Sequence, residues 1–427
     1  MHIDKDAVDS FNGRRIASQE RKFSRLKEDL ADIGADAEQI VAQLQDFQVA
    51  IPSWALGTGG TRFGRFAGGG EPGSLEQKIE DIGLLHALNR SSGAISLHIP
   101  WDIPEDPAHI KQVAELHGIR FDAVNSNTFQ DQQGQALSYK FGSLCHTDAA
   151  IRKQAVAHNI EVIRHGIELG STSLSLWLSD GSCFPGQQNF ARAFNYTLES
   201  LREIYEALPD EWQFLVEYKP YEPNFYSTVI QDWGTSHLFC TKLGEKANVL
   251  VDLGHHLPNT NIEHIVALMI NEGRLGGFHF NDSKYGDDDL TVGSIRPYQL
   301  FLIFNEVVDG IRQQGGNSNA YAWMIDASHN VKDPLEDLLP SVEAILMAYA
   351  QALLVNREQL EITQLENDAA GAQQILQQAF RTDVRPLLQE AMLRSGGALD
   401  PLGLFRELGV RRQLIRERGA STQATGL

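Results

Sequence analysis

Asn248-Val249-Leu250-Val251-Asp252-Leu253 is a short apolar run that ends on a carboxylate. A run of this length with polar ends reads as a strand. Upstream lies a second run, Gln213-Phe214-Leu215-Val216-Glu217-Tyr218-Lys219, and downstream a third, Gly277-Phe278-His279-Phe280-Asn281. The stretch between the last two, 262–272, has helical texture. Moving further out, the same texture recurs at 49–54, 94–100, 121–127, 173–178 and 322–326. Helix-like segments lie between them, among them 149–169 and 195–208. Strands separated by helices imply right-handed βαβ units and a parallel sheet. Eight such units predict an α/β protein built as a closed (β/α)8 TIM barrel. An open doubly wound sheet is disfavoured, because the glycine-rich stretch Gly57-Thr58-Gly59-Gly60-Thr61-Arg62 puts Arg62 where a dinucleotide fingerprint needs its third glycine. That stretch reads as a flexible loop.

The flanks of the barrel read as helical. Leu26, Leu30 and Ile33, then Ile40, Val41, Leu44 and Phe47, keep three-to-four spacing across 15–46. After the eighth run, 335–354 and a further stretch rich in Gln, Leu, Arg and Glu predict helices beyond the barrel. The expected division is an N-terminal helical segment at 1–48, a catalytic barrel at 49–355 and a C-terminal helical extension at 356–427. Residues 419–427 have little apolar content and are expected to be disordered.

Composition narrows the function. Lys plus Arg is 36 against 56 for Asp plus Glu, a net charge of −20, which argues against nucleic acid and anionic membrane as partners. No uninterrupted apolar window of about 18 residues predicts a transmembrane helix. The start, Met1 to Asp6, shows no signal-peptide pattern. Cys145, Cys183 and Cys240 form no Cys-x-x-Cys pair, as expected of reduced thiols in a cytoplasm.

In a parallel barrel the active site forms at the carboxyl ends of the strands. There the fifth run offers Glu217 and Lys219, and the sixth offers Asp252 followed by His255. The seventh offers His279 and Asn281 with Asp287 and Asp289 beyond, and the eighth Asp326 and Ser328. Residues two apart on a strand share a face, so Glu217 with Lys219, His279 with Asn281, and Asp326 with Ser328 point together. Burying several carboxylates side by side is costly unless a cation neutralises them. This pattern predicts a divalent metal site. Asp287 and Asp289 alone would read as a solvated acidic loop, but beside His255 they read as ligands. The oxygen-rich set suits Mn²⁺, Mg²⁺ or Co²⁺ better than structural Zn²⁺. The ligands outnumber what one ion needs, so two ions are expected, bridged by Asp252. The other half of the barrel mouth is aromatic, with Trp54, Trp101 and Trp177. These suit the CH faces of a sugar, or simply pack the rim. His98 reads equally as a core histidine or as the base that opens a sugar ring.

Several stretches taken together resemble the L-rhamnose isomerase family, in its broad-specificity bacterial branch within the xylose-isomerase-like barrels. They are Ile51-Pro52-Ser53-Trp54, 57–63, Ser96-Leu97-His98-Ile99-Pro100-Trp101-Asp102, Asn125-Ser126-Asn127-Thr128-Phe129, Asp252-Leu253-Gly254-His255-His256, 278–289 and 325–330. The resemblance implies two divalent ions per subunit, usually Mn²⁺ with Co²⁺, Mg²⁺ or Zn²⁺ as alternatives, and a cytoplasmic homotetramer. It assigns a structural ion to Glu217, Asp252, His279 and Asp326, and a catalytic ion to Asp252, His255, Asp287 and Asp289. It puts Lys219 near the substrate carbonyl and makes Trp54, His98, Trp101, Phe129 and Trp177 the pocket wall. Phe63 would reach a neighbouring subunit's pocket.

The implied activity interconverts L-rhamnose and L-rhamnulose, with other aldoses as further substrates, in carbohydrate metabolism. Ring opening would use His98, or Asp326 through a metal-bound water, and hydrogen would move by a metal-assisted hydride shift. A ketose epimerase on the same barrel is the alternative enzyme, and the extra ligands Asp287 and Asp289 count against it. A non-catalytic sugar-binding protein would not need so many ligands.

Overall fold

Each of the eight apolar runs forms a strand: β1 (Ala50–Pro52), β2 (Ala94–Ile99), β3 (Arg120–Ser126), β4 (Ser173–Leu176), β5 (Gln213–Glu217), β6 (Ala247–Asp252), β7 (Leu275–Phe280) and β8 (Ala322–Ile325). All neighbours pair in parallel, and β1 pairs with β8, so the sheet closes in strand order. The computed structural model describes residues 1–58, 66–222, 227–315, 321–329 and 331–424. Phe63 therefore lies outside the described residues.

Inside the barrel, Ala50, Ala94 and Ala123 face Leu215, Leu250 and Met324, a small half against a large half. A larger apolar layer lies between the strands and the helices. Gly277 permits close approach of β7 to β8, since a Cβ on it would lie 2.7 Å from that of Ala322.

The helices before the barrel are α1 (Lys5–Gly13), α2 (Ile16–Asp32) and α3 (Ala37–Asp46). The helical region expected over 15–46 is divided between α2 and α3. The Asp36 side chain accepts from Glu38 N and Gln39 N and starts a new helix, and Gly34 at φ +78° turns the chain just before it. The helix α1 precedes the region read as helical.

Around the barrel run α4 (Leu75–Asn89), α5 (Pro107–Leu116), α6 (Ala149–Leu169), α7 (Phe190–Glu206), α8 (Trp233–Leu243), α9 (Ile262–Asn271), α10 (Pro297–Gln313) and α11 (Pro334–Leu353). Beyond them lie α12 (Arg357–Leu365), α13 (Ala369–Arg381), α14 (Arg385–Arg394), α15 (Pro401–Leu408) and α16 (Val410–Arg418). The two flanks pack on each other, with α14 against α2 and α3. Polar contacts across this seam include Gln19 Nε2 to Pro386 O at 2.8 Å and Asn12 Nδ2 to Gly397 O at 2.9 Å. Among the described residues no single helix is long and apolar enough to cross a membrane.

The C-terminal tail departs from expectation as far as it is described. Ala424 is buried, and its N–H donates to Glu71 Oε2 at 2.7 Å. Glu71 N donates to Thr422 Oγ1 at 3.0 Å, and Gly70 N to Gly419 O at 2.9 Å. These hydrogen bonds to Gly70 and Glu71, with the burial of Ala424, hold residues 419–424 in place.

Candidate metal centre and sugar pocket

The strands bring Glu217, Asp252, His279 and Asp326 to one spot. Asp252 on β6 pairs in register with His279 on β7, Glu217 closes β5, and Asp326 follows β8 directly. Each of the four offers a ligand atom, and these atoms all lie within 4.8 Å of one another. Asp252 is fully buried. Its Oδ1 accepts from Gly254 N at 2.7 Å and Asn281 Nδ2 at 3.0 Å. Its Oδ2 and His279 Nε2 are buried without a hydrogen-bond partner among the described residues. Buried polar atoms are rarely left unpaired, and a compact set of three carboxylates and an imidazole fits a divalent cation.

His255 and Asp287 lie beside this cluster, although among the described residues only Glu217, Asp252, His279 and Asp326 gather as a set of possible ligands. His255 Nε2 lies 3.1 Å from Asp287 Oδ1 and 3.9 Å from Asp252 Oδ2. Asp287 and Asp289 are both buried, so the solvated-loop reading does not hold for them. Their backbones take the left-handed conformation, φ +54° and +48°. Between them, Asp288 accepts from Lys284 N at 2.6 Å and Tyr285 N at 2.8 Å, which folds the loop and sends its neighbours inward. Asp289 Oδ2 accepts from Ser328 Oγ at 3.0 Å.

Charge balance in this cluster is set by mutual contact. Burial raises the Glu217 carboxyl, yet the His279 and His255 rings, each 3.2 Å away, hold it well below the ordinary range. Burial also pushes Asp252 up to about 6. It opposes charge on His279, but Glu217 outweighs it and lifts that ring to about 9. Burial is likewise outweighed at His255, which Asp252 and Asp287 hold well above the ordinary range. Both rings are thus biased toward the protonated form, and a bound cation would compete with that proton. Mn²⁺ binding at about pH 7 should release protons, and affinity should rise with pH by up to about tenfold per unit for each proton displaced. His279, lifted to about 9, loses its proton within that window. Titration calorimetry in two buffers of different ionisation heat measures the release. A pH-independent affinity would contradict it.

Lys219 is buried just beyond β5. Its Nζ pairs with Asp287 Oδ2 at 2.5 Å and Glu222 Oε2 at 2.6 Å, and lies 5.0 Å from the centre of the Trp177 ring. Glu222 was not foreseen, since a glutamate in a connecting loop carries no signal of burial.

The aromatic half of the mouth assembles around His98. Its ring stacks on Trp101 at 4.1 Å and meets Trp54 at 5.5 Å and Phe129 at 5.7 Å, while Phe129 lies 4.7 Å from Trp177. All of these residues line one pocket with Lys219, Ser328, Glu217, His279 and Asp326, and Asn125, Ser126 and Ser175 add polar groups from β3 and β4. Trp54 is not on β1 as expected. Pro52 has no N–H to extend the ladder, and the chain turns through Ser53–Leu56 instead. The turn brings Trp54 Nε1 to 2.8 Å from Asp326 Oδ1. Burial pushes His98 down to about 3, so the ring is neutral at any working pH.

Beneath this wall lies a buried ion pair. Lys78 Nζ on α4 meets Asp102 Oδ1 at 2.7 Å, and Asp102 Oδ2 accepts from Ser53 Oγ at 2.5 Å and His98 N at 2.8 Å. Asp102 thus joins the turn bearing Trp54 to the strand bearing His98. The available signal was Lys78 on the same helical face as Ile82 and Leu85, where a charge needs a partner.

A model of the xylose isomerase-like TIM barrel family matches residues 90–302. A probable sugar isomerase of Mesorhizobium japonicum is 52% identical over 424 residues, 99% of this chain and 98% of that protein. A second, of Rhizobium meliloti, is 51% identical over 420 residues, 98% of this chain and 97% of that one. Among solved structures, a D-psicose 3-epimerase from Clostridium cellulolyticum H10 is a more distant likeness, with 15% identity and a TM-score of 0.46 over 67% of this chain and 94% of that one. The chain belongs to the xylose isomerase-like TIM barrel family, together with these probable sugar isomerases.

Proposed function

We propose that this protein is a metal-dependent aldose–ketose isomerase that interconverts L-rhamnose and L-rhamnulose and accepts other aldoses of similar shape. The observation that carries this reading is the cluster of Glu217, Asp252, His279 and Asp326 at the floor of a pocket walled by Trp54, Trp101, Phe129 and Trp177. Those four residues would hold one divalent ion, and Asp252, His255, Asp287 and Asp289 a second, with Mn²⁺ as the expected metal. A bound divalent ion supplies Lewis acidity toward sugar oxygens.

The chain's own residues do the rest. The aromatic wall packs on the CH faces of the sugar and excludes water. When the ring opens, the C1–O5 bond breaks and O5 takes up a proton while O1 gives one up; His98, neutral and in the pocket wall, would relay that proton from O1 to O5. Lys219 brings positive charge to the carbonyl oxygen, and Asp287 and Glu222 fix its position. Ser328 holds Asp289 and offers its hydroxyl to the pocket.

In this reading every carboxylate at the floor is a ligand, which leaves few free bases beside C2. Hydrogen then moves with its electron pair from C2 to C1, while the proton of O2 is given up and one is taken at O1. L-rhamnose carrying deuterium at C2 should therefore yield L-rhamnulose with the label at C1 and little loss to water. Extensive washout in a single turnover would replace the hydride shift with an enediol route.

Exposed apolar side chains on loops at this end of the barrel, among them Phe66, Phe141, Phe184 and Tyr285, support assembly into the homotetramer.

A further inference from the structure

Two loops carry the residues that approach the second ion. One follows β7 and bears Asp287 and Asp289. The other follows β8 and bears Ser328. They touch at the pocket, where Ser328 N donates to Asp289 O at 3.3 Å and Ser328 Oγ to Asp289 Oδ2 at 3.0 Å. They meet again on one side chain outside the pocket. Asp337, buried in the first turn of α11, accepts from both. Its Oδ1 takes Thr291 Oγ1 at 2.5 Å, two residues after Asp289, and Lys332 Nζ at 2.9 Å. Its Oδ2 faces His329 Nδ1 at 3.0 Å, the residue next to Ser328. One helical turn on, Ser341 Oγ accepts from Val292 N at 3.3 Å.

We propose that Asp337 is a positioning residue for the second metal ion, fixing the β7 and β8 loops against α11 so that Asp289 and Ser328 keep their places in the pocket.

Three features of the contacts support this. Asp337 touches no residue of the Glu217, Asp252, His279 and Asp326 cluster in any of these bonds, so its reach is confined to the loop side of the site. Burial raises its carboxyl, but the His329, Thr291 and Lys332 contacts outweigh this and hold it at about 2, so it stays an acceptor for all three. Asp289 also sits in the left-handed conformation at φ +48°, which a non-glycine residue keeps only where its surroundings fix it. The bonds of Thr291 and Ser328 flank that residue on both sides.

The inference rests on the two-ion reading, and the test separates the two. Metal-stripped protein is titrated with Mn²⁺ by calorimetry, and an Asp287→Asn variant identifies the event that belongs to the second ion. Asp337→Asn keeps the shape but cannot accept from three donors at once. It should weaken that event by at least about tenfold and leave the other event unchanged, with a lower metal-free melting temperature because the contacts that depress the Asp337 carboxyl also stabilise the fold. Thr291→Val, which removes one donor and keeps the packing, should weaken the same event by a smaller factor, and it carries the test if Asp337→Asn fails to fold. Equal weakening of both events, or no change in either, would overturn the positioning role. A single event in the unmodified protein would overturn the two-ion reading itself, before any variant is made.

Discussion

Replacing Asp252 by asparagine should lower kcat by at least about 10³-fold, because the Lewis acidity lost with the ions is worth several kcal/mol at about 1.4 kcal/mol per tenfold. In the proposed assignment Asp252 is the carboxylate shared by both ligand sets. It is fully buried, and its Oδ1 is pinned by Gly254 N and Asn281 Nδ2, so only Oδ2 faces the cluster. Asparagine keeps the volume, removes the charge and offers only one oxygen where two are in use. Elemental analysis after dialysis should find both ions depleted, with the circular dichroism of the folded barrel retained. Two tightly held ions in this variant would show that Asp252 is not the bridge.

Exhaustive chelation should abolish isomerisation, and added Mn²⁺ should restore it. Without cations the floor holds Glu217, Asp252 and Asp326 within reach of one another, with the His255 and His279 rings each 3.2 Å from Glu217. Rebinding should also stabilise the fold, by about 2.7 kcal/mol for each ion present at a hundred times its dissociation constant. Thermal melts with and without Mn²⁺ measure this. Full activity in protein shown by elemental analysis to be metal-free would remove the ions from the mechanism.

What the chain discloses on reading depends on whether a residue's environment follows from its neighbours in sequence. Glu217, Asp252, His279 and Asp326 each sit at the end of an apolar run, and a parallel barrel sends all such ends to one face. They are legible for that reason. Asp287 and Asp289 look solvated by composition. They are buried because Asp288 caps the turn and Asp287 N donates to Gly254 O at 3.0 Å, contacts that spacing alone does not announce. The same is true of Glu222 on Lys219, of Asp102 on Lys78, 24 residues apart, and of Asp337 between two loops. Polar partners that meet only after the barrel closes leave no periodic trace. The split between α2 and α3 was visible in principle, since Gly34 followed by Asp36 is a stop and a start, but the apolar spacing on either side masked it.

The most direct test of the assigned function is to incubate the Mn²⁺-loaded protein with L-rhamnose and follow the sugars by chromatography. L-rhamnulose should accumulate to an equilibrium with L-rhamnose, reached from either sugar, and chelation should stop it in both directions. Unchanged L-rhamnose, together with C3 epimerisation of a ketose by the same preparation, would contradict the isomerase reading.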